Sequence, residues 1–249
     1  MTDNILLYEE LSLNAHPSLQ TQFYDGWILR FANGYTKRAN SINPLYSSTD
    51  DLQLKITECE KRYAACGLPV VYKLTDGTDP DIEKLLEQQN YISVEPAFVM
   101  STALNSRDSS FGDCVTTDRA DEEWLKAYFT FSHYTDNVRI TTAGQILENV
   151  KNTLICGRVV KDGVPAACGL AVIERGYAAL QNIVVDEAQR GKGYGQEICE
   201  SLMSAAKSLG AHTAYLQVIQ ENYKAVNLYR KLGFTDVYSY WYRVKASGI

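Results

Sequence analysis

Three glycines at alternate positions constrain the fold of this chain more than any other feature of its sequence. They lie in the run QRGKGYG, at residues 189–195. Glycine weakens the interior of a helix or a strand, so this run predicts a turn. Helical spacing of apolar residues follows over residues 196–209. A glycine-rich turn that opens a helix presents backbone N–H groups at the positive end of the helix dipole, so the sequence predicts an anion site.

Two familiar nucleotide-binding loops do not match this run. A Walker loop ends in GKS or GKT, whereas this run ends in GKGYG. A dinucleotide fingerprint is GxGxxG between two strands of a parallel sheet. The glycines here read GxGxG, and they follow strands that are separated by short turns. The anion is therefore not assigned by either motif.

The segments around the glycine run predict a mixed, mostly antiparallel sheet flanked by helices. Short glycine-bearing turns at residues 161–163 and 174–176 separate strands and indicate an antiparallel meander. Glycines close two of the predicted helices. The predicted helices cover residues 120–133, 142–152, 196–209 and 224–232, and the predicted strands cover residues 154–160, 164–173, 177–185, 213–218 and 237–244.

Two motifs make the chain resemble the GNAT superfamily of acyl-CoA-dependent N-acyltransferases. The first is a strand ending in valine, an acidic turn and the glycine run, which reads NIVVDEAQRGKGYG over residues 182–195. The second has the form N-x-x-A-x-x-L-Y-x-K-x-G-F and reads NYKAVNLYRKLGF over residues 222–234. The resemblance covers residues 111–249 and implies the GNAT fold.

The resemblance implies an N-acetyltransferase that uses acetyl-CoA and no metal. The acetyl group would pass to the primary amine of a small molecule by direct attack in a ternary complex. Tyr229 would donate a proton to the leaving thiolate, and Asn222 would contact the cofactor arm or cap its own helix. The backbone of the preceding strand would receive the pantetheine arm, with the N–H of Val185 polarising the thioester carbonyl. The implied cofactor-binding residues are Ile183, Val184, Val185, Arg190, Gly191, Lys192, Gly193, Tyr194, Gly195 and Asn222.

The general base is the part of the mechanism that the sequence leaves open. Many family members carry a glutamate on the strand before the glycine loop or on the strand that follows the loop's helix. Gln181 and Gln217 hold the matching positions here, and neither can accept a proton. Water, a carboxylate from elsewhere such as Glu221, an amine that arrives neutral, and His133 are the alternatives.

The first half of the chain resembles a degenerate copy of the second half. An alignment without gaps, referred to below as the Gly67/Gly210 alignment, also pairs Tyr72 with Tyr215 and Leu85 with Leu228. It places Leu86 opposite Tyr229 and Asp79 opposite Asn222. The first half lacks the glycine triplet. The sequence thus predicts a degenerate GNAT-like domain over residues 1–110 and a catalytic domain over residues 111–249. Residues 33–41 would line the acceptor pocket or form a loop and an edge strand.

Composition limits the partners and the location of the chain. The net charge is −6, and the excess of acidic residues lies in the first 110 residues. This disfavours nucleic acid and leans toward a cationic small substrate. The chain has no apolar run long enough to cross a membrane and no basic leader, so a cytoplasmic location is expected. Its six cysteines form no CxxC pair, which predicts reduced thiols and no metal site.

Two other functions stay open at the level of the sequence. The glutamines at the base positions allow a non-catalytic module that binds or senses acyl-CoA. The motifs also allow an acyltransferase that uses an acyl-CoA longer than acetyl-CoA. A homodimer is compatible with either.

Overall fold

The computed structural model describes residues 1–104 and 114–245. The helices are α1 (Asp3–Ala15), α2 (Leu52–Ala65), α3 (Pro80–Gln88), α4 (Glu122–Phe131), α5 (Asn137–Glu148), α6 (Tyr194–Ser208) and α7 (Tyr223–Lys231). The strands are β1 (Gln20–Tyr24), β2 (Trp27–Phe31), β3 (Ile42–Pro44), β4 (Val71–Thr75), β5 (Tyr91–Ala103), β6 (Cys114–Thr117), β7 (Thr153–Lys161), β8 (Val164–Glu174), β9 (Tyr177–Val185), β10 (Thr213–Ile219) and β11 (Thr235–Lys245). No helix in the described residues has the length and apolar character needed to span a membrane.

The chain forms two compact units that are discontinuous in sequence. Unit 1 contains Met1–Phe98, Ile219–Glu221 and Tyr238–Ile249, and unit 2 contains Val99–Val218 and Asn222–Val237. Strands β5 and β11 therefore contribute residues to both units. The predicted boundary between residues 110 and 111 lies outside the described residues, and the division into domains 1–110 and 111–249 stays a prediction.

The sheet of unit 1 has the strand order β1-β2-β3-β4-β11. Neighbouring strands are antiparallel except β3 and β4, which are parallel and pair at Ile42 and Tyr72. Helices α2 and α3 bury apolar side chains against this sheet. The core of unit 1 consists of Trp27, Leu29, Phe31, Ile42, Ile56, Cys59, Tyr63, Tyr72, Leu74, Ile82, Leu86 and Tyr91.

The sheet of unit 2 has the strand order β10-β9-β8-β7-β6. All of its neighbouring strands are antiparallel except β9 and β10, which are parallel. The predicted meander is confirmed as β7-β8-β9. Both of its two-residue turns, Asp162-Gly163 and Arg175-Gly176, have positive φ at each residue, which is the type I′ geometry that suits a hairpin. The predicted fold class, a mixed and mostly antiparallel sheet with flanking helices, is confirmed.

Helix boundaries follow the capping residues more closely than the apolar pattern. The helix expected over residues 142–152 is α5, which starts earlier because the Asp136 side chain accepts a hydrogen bond from the N–H of Val138. The helix expected over residues 120–133 is α4, which Asp121 caps through the N–H of Trp124. Helix α1 and the strands β1, β2, β3 and β6 were not predicted from the sequence.

The elements of the two units recur at the spacing of the Gly67/Gly210 alignment. Helices α3 and α7 coincide at both ends under this alignment. Each is followed by a residue with positive φ, Asn90 in unit 1 and Gly233 in unit 2. Gly67 and Gly210 themselves end α2 and α6 with positive φ. The recurrence of elements, caps and strand directions agrees with the predicted internal duplication.

Candidate active site

A fork between β9 and β10 is the central feature of unit 2. The two strands pair in parallel from Tyr177↔Thr213 to Ala179↔Tyr215, and no further pair joins them over the described residues. Side chains of β9 change from buried to half-buried after residue 181. Residues 183–185 and residues 216–218 are therefore not paired with each other.

A β-bulge in β9 shapes one arm of the fork. Between the pairs Leu170↔Gln181 and Cys168↔Val184, β9 has one residue more than β8. Asn182 takes the positive φ of 53° that the bulge requires. The opposite residue is Gly169, where an added Cβ would lie 2.4 Å from Cδ1 of Ile183. Gly169 thus lets the bulged strand pack closely, a role that its place within a strand could have signalled.

The N–H of Val185 points into the fork. Asp186 donates a backbone hydrogen bond to the carbonyl of Ala166, in the same register as the pairs Val184↔Cys168 and Val185↔Ala167. Hydrogen-bonded and non-hydrogen-bonded pairs alternate along an antiparallel ladder. Val185 therefore belongs to a non-hydrogen-bonded pair, and its N–H and C=O face away from β8. This is the orientation that an oxyanion contact in the fork requires.

The glycine loop leads from β9 into α6. Gly191 and Gly193 have φ of 81° and 88°, and an added Cβ at either residue would meet nothing within 4 Å. These two glycines are therefore required by backbone conformation. Gly195 lies in close contact with α7, because an added Cβ would lie 3.3 Å from Cδ2 of Leu228.

The start of α6 offers backbone donors. Gly193 is the N-cap of α6 and supplies no side chain to cap it. The N–H groups of Gly193, Tyr194 and Gly195 make no hydrogen bond to any residue that the structure describes. Unpaired N–H groups at a helix N-terminus form a binding site for phosphate. The loop therefore fits a pyrophosphate group through its backbone.

The two cations of the loop contact their neighbours. Arg190 Nη1 lies 3.0 Å from Glu187 Oε1, and both side chains are exposed. Lys192 donates a hydrogen bond of 2.8 Å to Oε1 of Gln189. Exposed contacts of this kind are weak, so both cations can rearrange toward a phosphate. Their participation in cofactor binding stays a prediction.

Tyr229 is held in place by the way α7 ends. The N–H of Phe234 bonds to the carbonyl of Tyr229, and the N–H of Gly233 bonds to that of Arg230, each at 3.0 Å. With the positive φ of Gly233, these bonds form a Schellman motif. The Phe234 ring then packs edge-on against the Tyr229 ring at 5.9 Å. The spacing Y-x-K-x-G-F over residues 229–234 thus has a structural cause.

The Tyr229 phenol is neutral and buried. Its side chain is 8% exposed. Burial raises the pKa of Tyr229 far above its usual value, and the nearby thiol of Cys199 adds to the effect. A neutral phenol can donate a proton or a hydrogen bond, whereas it cannot act as a base at neutral pH. Asn222 caps α7, since its Oδ1 accepts a hydrogen bond of 3.3 Å from the N–H of Ala225.

The glutamines at the expected base positions lie at the fork. Gln181 is buried on β9 and Gln217 is half-buried on β10. Both amide atoms of Gln217 are buried and make no hydrogen bond to any residue in the described part of the chain. His133 is exposed at the end of α4, and its Nε2 lies 3.6 Å from Glu187 Oε1. The structure does not bring His133 to the fork as a buried base.

The buried cysteines of unit 2 have thiols that are not activated. All six are free, and four of them are buried, as the sequence predicts for reduced thiols. Burial raises the pKa of Cys156, Cys168 and Cys199 to about 12. These thiols are therefore protonated at neutral pH, and a covalent acyl-cysteine at any of them is disfavoured.

Comparison with known proteins matches nearly the whole chain to one family. The family model described as "Probable histone acetyltransferase Rv0428c C-terminal" matches residues 2–243. The chain is 30% identical over 252 residues to the uncharacterized N-acetyltransferase YobR of Bacillus subtilis, a match that covers 98% of this chain and 99% of that protein. The chain belongs to the GNAT superfamily of N-acetyltransferases.

Solved structures agree with this membership at the level of the fold. A GCN5-related N-acetyltransferase from Kribbella flavida has a TM-score of 0.70 at 13% identity, covering 98% of this chain and 96% of that one. A tandem GNAT protein from the clavulanic acid biosynthesis pathway has a TM-score of 0.62 at 11% identity, covering 84% and 76%. Both likenesses show the GNAT fold. The family match and the 30% identical relative show an acyltransferase, which favours the enzyme over the non-catalytic alternative.

Proposed function

We propose that this GNAT protein transfers an acetyl group from acetyl-CoA to the primary amine of a small molecule. The observation that carries the proposal is the set of unpaired N–H groups at the start of α6, next to the fork between β9 and β10. GNAT enzymes use acyl-CoA as donor, and a loop of backbone donors suits its pyrophosphate. The fork suits an extended arm that pairs with exposed strand backbone.

Each residue of the site has a distinct task in this proposal. The backbone N–H groups of residues 191–195 hold the pyrophosphate, and Ile183, Val184 and Val185 offer backbone groups to the pantetheine arm. The bound thioester supplies an activated acyl group. The N–H of Val185 stabilises negative charge on the carbonyl oxygen during attack. Asn222 fixes the start of α7, and Tyr229 at its other end protonates the departing thiolate.

The transfer is direct in this proposal. The amine nitrogen attacks the thioester carbonyl, the new C–N bond forms, and the C–S bond breaks. The proton that the nitrogen loses balances the proton that the thiolate gains through Tyr229. No described cysteine of unit 2 is an activated nucleophile, which supports attack in a ternary complex over a covalent acyl-enzyme.

A pair of glycine variants tests the cofactor site. Gly193 and Gly210 lie just before and just after α6, have φ of 88° and 89°, and both have open space at the Cβ position. Gly193→Ala and Gly210→Ala therefore introduce the same strain, about 1–2 kcal/mol. We expect only Gly193→Ala to weaken CoA binding, by about tenfold or more, as measured by calorimetry.

The activity itself is tested by thiol release from acetyl-CoA with a panel of primary amines. Release that depends on an amine supports the proposal, and tight CoA binding without release in the full panel contradicts it. Propionyl-CoA and hexanoyl-CoA in the same assay decide between acetyl and longer acyl groups. Equal loss of CoA affinity in the two glycine variants would exclude the loop before α6 as the pyrophosphate site.

A further inference from the structure

Gln181 and Gln217 face the same side of the fork. The last pair that joins β9 to β10 is Ala179↔Tyr215, and each glutamine lies two residues beyond it on its own strand. Side chains alternate along a strand, and paired residues share a face. The two glutamines therefore occupy equivalent positions on the two arms, one on each side of the opening.

This side of the sheet is opposite to the side that carries α6. Gly169 faces α6, because an added Cβ there would lie 3.2 Å from Leu202. Its neighbour Leu170 faces the other way, and Leu170 pairs with Gln181. Gln181 and Gln217 thus project from the face away from the helix whose N-terminus forms the cofactor loop. A group that contacts Gln217 approaches the fork from the side opposite the proposed pyrophosphate site.

The amide of Gln217 needs a partner that both donates and accepts. Its Nε2 and its Oε1 are both buried, and neither has a hydrogen bond to any described residue. A buried polar group without a partner is costly, so binding is favoured for a group that satisfies both atoms. Another amide does this with two parallel hydrogen bonds. An ammonium group satisfies only Oε1, and a carboxylate satisfies only Nε2.

The chemistry of proton removal narrows the acceptor further. Neither glutamine can take a proton from an incoming ammonium group. An alkylamine such as a lysine side chain has a pKa of about 10.4, whereas an α-amino group beside an amide has a pKa of about 7.7–8.0. At neutral pH a useful fraction of α-amino groups beside an amide is therefore already uncharged. A fork whose two strand positions carry glutamines that cannot act as bases therefore suits an α-amine that has an amide next to it.

We propose that the acceptor is an α-amino amide and that Gln217 is the residue that recognises its amide group. The class includes free amino acid amides and the N-termini of peptides, which share this chemistry. The inference rests on the proposed acetyl transfer. Gln217 pairs with the amide of the acceptor, which places the adjacent neutral amine at the fork for attack on the thioester.

Paired acceptors test this assignment. L-leucinamide, L-phenylalaninamide and L-lysinamide are compared with isoamylamine, phenethylamine and cadaverine, which are the same molecules without the carboxamide. The variant is Gln217→Leu, which keeps a similar volume and removes both polar atoms. The matched control is Gln145→Leu, the same change at an exposed position of α5. For each pair we take the ratio of kcat/KM for the amide to kcat/KM for the matching amine. Comparing this ratio between the protein variants cancels the intrinsic reactivity of the amines.

We expect Gln217→Leu to lower kcat/KM for the amides by about 10–100-fold and to change kcat/KM for the simple amines by less than about twofold. The affinity for CoA stays unchanged. The thermal midpoint of the free protein stays level or rises, because the substitution removes an unpaired buried amide. Gln145→Leu leaves all of these quantities unchanged.

Three results would overturn the assignment. An amide-to-amine ratio that is equal in the wild type and in Gln217→Leu removes the recognition role. A weaker affinity for CoA assigns Gln217 to the pantetheine arm. A lower thermal midpoint, with an equal loss for both kinds of acceptor, makes Gln217 a structural residue. Thiol release without preference contradicts this inference alone, whereas no release with any amine contradicts the proposed function as well.

Assays with peptides distinguish between a peptide N-terminus and a free amino acid amide as the acceptor. Leu-Gly-Gly and longer peptides that begin with leucine are compared with L-leucinamide in the same assay. A higher kcat/KM for the peptides indicates a peptide N-terminus, and a higher value for L-leucinamide indicates a free amino acid amide. Both outcomes support recognition by Gln217 when the preference is lost in Gln217→Leu.

Discussion

The loops before α2 and α6 lie at equivalent places in the two units and differ in what their backbone N–H groups contact. In unit 1 the carboxylate of Asp25 accepts hydrogen bonds from the N–H groups of Thr49 and Asp50 at 3.0 and 2.9 Å. The Gly67/Gly210 alignment places Asp50 opposite Gly193, whose N–H makes no hydrogen bond to a described residue. Unit 1 therefore supplies its own anion to the helix terminus that unit 2 leaves open.

The sequence shows how unit 1 achieves this. Asp25 and Gly26 form the type I′ turn between β1 and β2. A Cβ at Gly26 would lie 2.2 Å from the carbonyl oxygen of Ser47, so glycine allows the turn to contact the loop before α2. Lys55, whose side chain is fully buried, contacts the same carboxylate at 2.9 Å. In unit 1, the carboxylate of Asp25 thus satisfies backbone N–H groups that have no such partner at the equivalent place in unit 2.

The largest effect that this comparison predicts concerns Tyr229, which lies opposite Leu86 in unit 1. We expect Tyr229→Phe to lower kcat by about 100-fold, because it removes the proton donor and keeps the packing against Phe234. CoA affinity and the thermal midpoint stay near those of the wild type. Steady-state kinetics with acetyl-CoA measures the change.

Tyr63→Phe in unit 1 is the control for the loss of a buried hydroxyl. The Tyr63 hydroxyl donates a hydrogen bond of 2.8 Å to the carbonyl of Arg30. Its removal lowers stability by about 1 kcal/mol and leaves kcat unchanged. A Tyr229→Phe enzyme that turns over like the wild type would remove Tyr229 from the mechanism.

The next largest effect is on thermal stability and concerns the carboxylate of Asp25. Asp25→Asn keeps the size of the side chain and removes its charge, which leaves Lys55 without its ion pair. We expect a clearly lower thermal midpoint. Asp51→Asn is the control, because Asp51 caps the same helix through the N–H of Leu54 and asparagine is an equally good N-cap. Equal thermal midpoints for the two variants would show that the charge of Asp25 stabilises the fold no more than the charge of Asp51.

The stability that the Asp25 carboxylate provides depends on pH in a direction that can be predicted. The hydrogen bonds from Ser48 and from the N–H of Asp50, together with Lys55, hold the pKa of Asp25 far below its usual range. A lowered carboxyl pKa stabilises the fold above the pKa of the unfolded chain, about 3.9, and this stability is lost as the pH falls further. The difference between wild type and Asp25→Asn should therefore persist from pH 7 to about pH 4 and shrink below it.

A smaller effect on stability comes from a buried histidine in unit 1, whereas the histidines of unit 2 are exposed. His16 in unit 1 is 5% exposed, and its Nε2 has no partner among the described residues. His133 and His212 in unit 2 are exposed. Burial lowers the pKa of His16, and Arg38 and Arg30 lower it further. As the pH falls, the unfolded chain binds this proton first, so stability decreases below about pH 6.5.

Chemical unfolding at pH 7.5 and 5.5 measures this effect. We expect the wild type to lose about 1 kcal/mol from this group over that range, and His16→Phe to avoid the loss. An equal decrease in both proteins would place the acid sensitivity elsewhere in the chain.

The smallest effect concerns the two helix caps. Asn222 caps α7 and Asp79 caps α3 at equivalent positions of the Gly67/Gly210 alignment. Replacing either residue with alanine should cost about 1 kcal/mol of stability. Only Asn222→Ala should also weaken CoA binding, as measured by calorimetry. Unchanged CoA affinity would limit Asn222 to its cap.

Sequence patterns predicted the elements that carry strong local signals. The glycine-closed helices α6 and α7 and the meander β7-β8-β9 were found where glycine and apolar spacing indicate them. Two motifs were enough to predict the family, because each fixes backbone conformations at defined positions. Tyr229, for example, lies in a Schellman motif that the sequence spells out.

Features that depend on distant partners could not be read from the sequence. The bulge at Asn182 requires Gly169 on the neighbouring strand, and the Asp25 contact joins a turn to a loop far along the chain. The lack of a hydrogen-bond partner for the amide of Gln217 depends on the packing around the fork, which the sequence does not show. Sequence reasoning identified Gln217 as a missing base, and the structure adds its hydrogen-bonding need.

The pairing of β11 with β4 has a consequence for the synthesis of the chain. Val71 through Thr75 of unit 1 pair with residues 240–244, near the far end of the sequence. Unit 1 therefore cannot complete its sheet while the ribosome is still adding the last strand. During translation, β4 presents an unpaired edge that other strands can join. The strands of unit 1 that are made before unit 2 thus wait for a partner strand that is made after most of unit 2.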